Sequence, residues 1–338
     1  MDGRRSPMGE KQSTELELQE SLREYVRAIA GLYNDNSFHN FEHASHVTMS
    51  VMKLLSRIVA PNLASDDARE LHDHTYGITS DPLTQFAVVF SAMLHDVDHL
   101  GVPNTQLVKE GISLAGLYKN KSVAEQNSID LAWALLMEDR FEPFRKAIYS
   151  TTSELKRFRQ LVVNTILATD IMDKELKTLR NARWDKAFSE SASVREESAM
   201  DTTNRKATIV IEHLIQASDI AHTMQHWQVY RKWNARLFLE MYRAYREGRA
   251  EKDPSDFWYE GEIGFFDFYI IPLAKKLESC GVFGVSSHEY LNYAEQNRKE
   301  WEMKGRGVVE ELIQQAHAQS YKPAKAMMTD QAGNFTLL

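Results

Sequence analysis

Residues Ala92–His99 read AMLHDVDH and set His95, Asp96, Asp98 and His99 almost side by side. The apolar run Phe86–Phe90 leads into them, so the stretch is expected on a buried helix. Such groups are costly to bury unless they pair or bind metal. His95 and Asp96 are adjacent ligand types for a divalent cation; a metal-free His–Asp cluster in the core is the competing reading. Two further stretches favour metal. His39, His43 and His46 open a second segment, and residues four apart can share one helix face. Asp219 sits within the apolar run Ile209–Ala221, where an unpaired carboxylate is again costly. Two imidazoles and two carboxylates, His43, His95, Asp96 and Asp219, suit Zn²⁺ with positions left open for water. A bridging carboxylate in oxygen-rich surroundings suits a second, harder ion, Mg²⁺ or Mn²⁺. Two ions roughly 3.5–4 Å apart would hold a hydroxide for in-line attack on phosphorus.

The elements that must position these groups read as helices throughout. Apolar residues recur at helical spacing from Thr14 to Tyr33, and Val47, Val51, Leu54, Leu55 and Ile58 line one face of the second segment. Asp81-Pro82 starts the helix leading to His95. Gly101–Gly116 reads as a loop with short helical pieces. Helices are expected at Ser122–Met137, Phe141–Tyr149, Glu154–Leu179, Thr208–Tyr245 (one or two), Trp258–Leu277 and Ser287–Gln315. The polar stretch from Leu63 to Ile78 and the Ser/Glu/Arg-rich stretch from Arg183 to Asn204 read as exposed. Strand alternation is scarce and Gly-rich phosphate loops are absent from the sequence. The expectation is an all-α fold: one compact multi-helix domain over 14–320, a disordered lead at 1–13 and a loose tail at 321–338.

The 338 residues are 43% hydrophobic, enough for a sizeable core, and carry a net charge of −8. No long Lys/Arg block marks a nucleic-acid footprint, so neither DNA nor RNA is expected as partner. No apolar run is long enough to span a bilayer. The one cysteine, Cys280, excludes an internal disulfide and fits a reducing, cytoplasmic setting.

His and Asp scattered over helices in this order are the pattern of HD-type metal phosphohydrolases. The motifs FHNFEHASHV, AMLHDVDHLG, SVAEQNS, LATDI, ASDIAHT and GEIGFFDFYIIPL, in this order and spacing, resemble the catalytic domain of class I 3′,5′-cyclic nucleotide phosphodiesterases, from about Ala28 to about Trp301. The resemblance implies an all-α domain of about sixteen helices that hydrolyses cyclic AMP or cyclic GMP to the 5′-monophosphate. His39 matches the family's general acid, which protonates the leaving O3′. His43, His95, Asp96 and Asp219 match the zinc ligands, and Asp96 also the contact to the second metal. His99 and Glu125 match groups that hold metal-bound waters. Asp170 matches an aspartate near the pocket floor. His46 and His72 match nothing and are read as structural. Phe38 departs from the family's tyrosine without touching the chemistry.

The resemblance places Phe265 where a phenylalanine stacks on the base, Leu237 on the opposite wall, and Tyr230 and Trp233 in support; His222 is a further candidate for the pocket lining. Glu262 occupies the position of the family's base-reading glutamine. An ionised glutamate only accepts hydrogen bonds. It would take guanine's N1–H and N2–H₂ and oppose adenine's N1. A protonated glutamate would mimic glutamine and accept adenine. The reading leans to cyclic GMP or dual specificity over cyclic AMP alone; a Glu262 turned to solvent or to an arginine would leave the base to another reader. An HD-type monoester phosphohydrolase and a cyclic-nucleotide sensor that binds without turnover are the rival functions. The reading allows a homodimer. It takes the chain as a minimal enzyme or as the cytosolic catalytic piece of a longer protein with regulatory or membrane-associated segments.

Overall fold

The computed structural model describes residues 7–58, 72–188, 199–283 and 285–320. Fourteen α-helices lie among them, with short 3₁₀ turns, and no strand. In chain order they are α1 (Pro7–Ala30), α2 (Phe41–Ser56), α3 (Pro82–Leu94), α4 (Asn104–Lys109), α5 (Ser113–Leu117), α6 (Val123–Leu136) and α7 (Glu142–Ile148). They continue with α8 (Thr152–Leu167), α9 (Lys174–Phe188), α10 (Ala199–Asp219), α11 (Trp227–Arg246), α12 (Trp258–Phe265), α13 (Ile271–Ser279) and α14 (Val285–Ser320).

Local chemistry sets several boundaries. Asn40 caps α2 by accepting from the His43 amide at 3.1 Å. Asp81 caps α3, with Pro82 in its first turn. Thr151 and Glu154 form a reciprocal capping box on α8.

Helix α3 is apolar nearly all round because it is packed on both sides. Val88 and Ala92 join Val47, Val51 and Leu54 of α2 and Ile211 and Leu214 of α10 in the larger core. Phe90 and Leu94 join Tyr25, Ile29, Ile129 and Phe158 in a second core. Each Val, Leu, Ile or Phe side chain so buried contributes about 1.5–3 kcal/mol. The result is one compact all-α domain whose central helices α2, α3 and α10 end on the candidate site.

Several expectations are corrected. The stretch read as one helix over Glu154–Leu179 is broken between Leu167 and Lys174, because Asp173 accepts the Glu175 and Leu176 amides and starts α9 afresh. Of the stretch expected as a loop over Arg183–Asn204, residues 183–188 and 199–204 are helical, and 189–198 lie outside the described residues. Trp184 packs on His213 with ring centroids 4.5 Å apart, and Arg183 pairs with Glu212, so tertiary contact overrides the polar composition. Trp258–Leu277 is not continuous α-helix: a π-helical turn at Phe266–Ile270 precedes Pro272, which has no N–H for the ladder. Ser287–Gln315, expected as several helices, lies within the single long α14. Helix α1 begins at Pro7, ahead of Thr14. The polar stretch at 63–71 and the tail at 321–338 lie outside the described residues. No described helix is long and apolar enough to cross a membrane.

Candidate metal centre and base pocket

The helical placement expected for the site residues needs correction. Helix α3 stops at Leu94; His95 is its C-cap, and the following residues leave in a turn. Likewise His39 precedes α2, held by Asn36, whose side chain donates to the His39 carbonyl at 3.1 Å. Helix ends free side chains to converge, which a continuous helix would fan out.

His43 and His95, both buried, meet Asp219 and Asp96. His43 Nε2 lies 3.0 Å from Asp219 Oδ1 and 3.6 Å from Asp96 Oδ2. His95 Nε2 lies 3.0 Å from Asp96 Oδ2 and 3.3 Å from Asp219 Oδ1. His95 Nδ1 is 2.9 Å from the Ala92 carbonyl, to which it donates, so Nε2 turns its lone pair inward. His95 Nε2 and Asp96 Oδ2 are buried without any hydrogen-bond partner. Ligand atoms that converge and lack partners fit a divalent cation, and His43, His95 and Asp219 form a group close enough to hold one.

Asp98 does not join them. Its φ of 59° turns it away. Its carboxylate accepts from Asn34 and Asn127, each at 3.0 Å, which clasps the turn to α6 and to the end of α1. A second acidic patch stands nearby. Asn104 donates to Glu125 at 2.9 Å and to Asp170 at 3.3 Å, and Ser122 donates to Asp170 at 2.7 Å. Burial, with Asp170 beside it, raises the Glu125 carboxyl to about 7.

The acid candidate has a partner that the motif reading missed. Glu240 of α11 places Oε1 2.5 Å from His39 Nδ1, and its other oxygen accepts the amides of Phe38 and His39. Burial disfavours a charged His39, but the Glu240 carboxylate outweighs it and raises the imidazole to about 9. His99 stacks on His39 with centroids 3.8 Å apart. Burial and the neighbouring His39 charge lower His99 to about 4, so it stays neutral, accepting from the Gly101 amide through Nδ1. The one signal for Glu240 in the sequence is an acid within the apolar LFLEMY of α11. Phe38 lies over His43 with centroids 4.5 Å apart. His222 is buried against Phe38 and Trp233. His46 packs on Trp233, and His72 contacts Ser80, both apart from the metal group.

Glu262 faces neither solvent nor an arginine. It is 8% exposed, and the Tyr230 hydroxyl donates to its Oε2 at 2.6 Å. Asn234 donates to the same hydroxyl at 3.4 Å and accepts from Trp258 Nε1 at 3.2 Å. Burial pushes the Glu262 carboxyl up to about 7, against the lowering effect of its hydrogen bonds. Phe265 lies one helical turn on, half-buried and parallel to Tyr269. Leu237 is half-buried against the larger core.

Among solved structures, the phosphodiesterase domain of Salpingoeca rosetta rhodopsin phosphodiesterase shares the fold at a TM-score of 0.64 and 21% identity, covering 94% of this chain and 92% of that one. The chain is 26% identical to 3′,5′-cyclic-AMP phosphodiesterase 4C of Mus musculus over 83% of its length and 39% of the relative's. It is 24% identical to the dual specificity calcium/calmodulin-dependent 3′,5′-cyclic nucleotide phosphodiesterase 1C of the same species, over 75% of its length and 33% of the relative's. It thus spans well under half of these relatives. The family model for 3′5′-cyclic nucleotide phosphodiesterase matches residues 38–282, from the residue before His39 to beyond the Glu262 pocket. By that match the chain belongs to the 3′,5′-cyclic nucleotide phosphodiesterase family.

Proposed function

We propose that this chain hydrolyses a 3′,5′-cyclic nucleotide to the 5′-monophosphate. The observation that carries the reading is the His39–Glu240 pair beside the converging His43, His95, Asp96 and Asp219. The metal group would hold Zn²⁺, with Asp96 shared with a second ion, Mg²⁺ or Mn²⁺, and with His99 and Glu125 bonding their waters. Bound there, the ions supply an activated water and neutralise phosphate charge. His39, cationic below about pH 9, gives its proton to the departing O3′. An expelled alkoxide is a poor leaving group, and a positioned acid is worth about 10²–10⁴-fold. Glu240 orients the ring and stabilises its charge.

Phe265 and Leu237 would hold the base between them, with Asp170 and His222 at the edges of the pocket. Tyr230 engages one oxygen of Glu262, leaving the other to read the purine edge. A carboxyl that titrates near 7 is a donor to adenine N1 when neutral and an acceptor for guanine N1–H when ionised. Dual specificity follows, shifting toward cyclic GMP as pH rises. The buried, unpaired Cys280 is consistent with a reducing compartment.

Turnover of cyclic AMP and cyclic GMP side by side, with Mg²⁺ and then with chelator, tests the reading. Hydrolysis lost on chelation is expected. Equal turnover of AMP and cyclic AMP would transfer the site to a monoester phosphohydrolase. Tight binding with no turnover in metal-loaded protein would make it a sensor.

A further inference from the structure

Helices α9, α10 and α13 enclose a cavity of about 350 Å³ outside the metal group. Lys177, Arg180 and Lys276 line it, and Asp185 is the one acid on its walls. Arg180 is 8% exposed, yet it spends its N–H groups on the carbonyls of Asp170 and Leu167, at 3.1 and 2.6 Å, and makes no ion pair among the described residues. Its neighbour Glu212 gives one oxygen to Arg183 at 2.5 Å; the other is buried without a hydrogen-bond partner and acts on Arg180 through charge alone. Lys276 is bonded to a neutral group, Asn181 Oδ1, at 2.6 Å. Three cations thus line the walls, Arg180 buried, Lys276 half-buried and Lys177 exposed, against the one acid Asp185, whose charge acts on Lys276. The excess positive charge is costly where it is buried, and an anion between the cations would relieve that cost.

The remaining walls favour a ligand that also carries a flat ring. Phe268 stands at the rim 77% exposed, an uncommon position for so large an apolar side chain. Tyr269 lines the same cavity, and its hydroxyl is buried without a hydrogen-bond partner. Aromatic faces beside cations suit a stacked base and its phosphate. The size falls within the range of small-molecule sites.

We propose that this cavity is a second nucleotide site, which binds a nucleoside 5′-monophosphate with its phosphate among Lys177, Arg180 and Lys276 and its base on Phe268. A phosphomonoester carries nearly two negative charges at neutral pH, against one for a cyclic diester, and matches the excess of cations better. Tyr269 couples the site to the base pocket. Its ring is parallel to that of Phe265, at 8° and 5.3 Å between centroids, so a ligand that moves Tyr269 moves the proposed stacking ring. Only this coupling, and not the binding, rests on the catalytic reading.

Calorimetric titration of the full chain with 5′-GMP is expected to give two sites. The Asp219→Ala chain should keep one, and Lys177→Glu/Lys276→Glu should lose the other while still turning over cyclic nucleotide. The milder Lys177→Ala/Lys276→Gln pair, with circular dichroism as a check of folding, should weaken that site at least tenfold. A single site in the wild-type chain that vanishes in Asp219→Ala would overturn the proposal. So would 5′-GMP binding left unchanged by both lysine pairs. Inorganic phosphate binding as tightly as 5′-GMP would overturn the assignment to a nucleotide. The site that the lysine pairs remove, and that Asp219→Ala keeps, is read by binding alone, whether or not the chain turns over a cyclic nucleotide.

Discussion

The imidazole Nδ1 of His39 lies 2.5 Å from Oε1 of Glu240, although the two residues are 201 positions apart in the chain. That contact raises the imidazole to about 9 and leaves Nε2–H as the proton that the proposed general acid would give.

His39→Ala should lower kcat by about 10²–10⁴-fold, the worth of a positioned acid. Glu240→Gln should act through pH. The wild-type imidazole is raised to about 9, so its protonated form, and the activity that needs it, persists below that value and is lost above it. Nearby divalent cations will bring the limb down somewhat. Removing the Glu240 charge should move the alkaline limb of kcat further toward lower pH. A limb that stays in place would show that Glu240 does not set the proton affinity of His39.

Glu262 should make base choice depend on pH. Its carboxyl is neutral below about 7 and ionised above, so the ratio of cyclic AMP to cyclic GMP turnover should fall as pH rises from 6 to 8. In Glu262→Gln the ratio should be flat with pH. At pH 8 it should favour cyclic AMP by about tenfold over the wild type, the scale of one well-made hydrogen bond. A wild-type ratio that ignores pH would rule out the carboxyl as the reader.

Tyr230→Phe removes the donor to Glu262 and the acceptor for Asn234 together. Because buried polar groups are left short of partners, urea unfolding should show a loss of about 1–3 kcal/mol. The lost donor should also raise the Glu262 carboxyl further and shift the pH dependence of base choice upward. A variant as stable as the wild type would mean that water replaces the hydroxyl.

His95→Ala and Asp219→Ala should abolish activity and leave the helical circular dichroism intact. Zn²⁺ should raise the wild-type Tm by mass action, with no rise in either variant. Substantial activity in either one would refute the metal assignment.

In α14, Trp301 is fully buried under Gly305, where an added Cβ would meet its ring at 2.9 Å. Gly305→Ala should cost about 1–3 kcal/mol in urea unfolding through overpacking. A gain in stability would show that the indole can move aside.

The sequence alone determined the all-α class, the central helices and the residues suited to bind metal. Helical periodicity and the burial cost of unpaired acids and imidazoles are local signals, readable within one segment. The motifs carried the family. Only the tertiary structure decided that α3 stops ahead of His95. His95 lies at a helix end because the turn after it is fixed by partners far along the chain, Asn34 and Asn36, which bond the His99 carbonyl; His39 is held ahead of α2 locally, by Asn36 and the Asn40 cap. The break before α9 had a local signal in Asp173, a capping residue hidden within a continuous apolar pattern. Glu240 and the Tyr230–Glu262 bond are pairings between positions that no spacing rule connects. They exist because packing brings separate helices into contact and leaves their buried polar groups to satisfy one another.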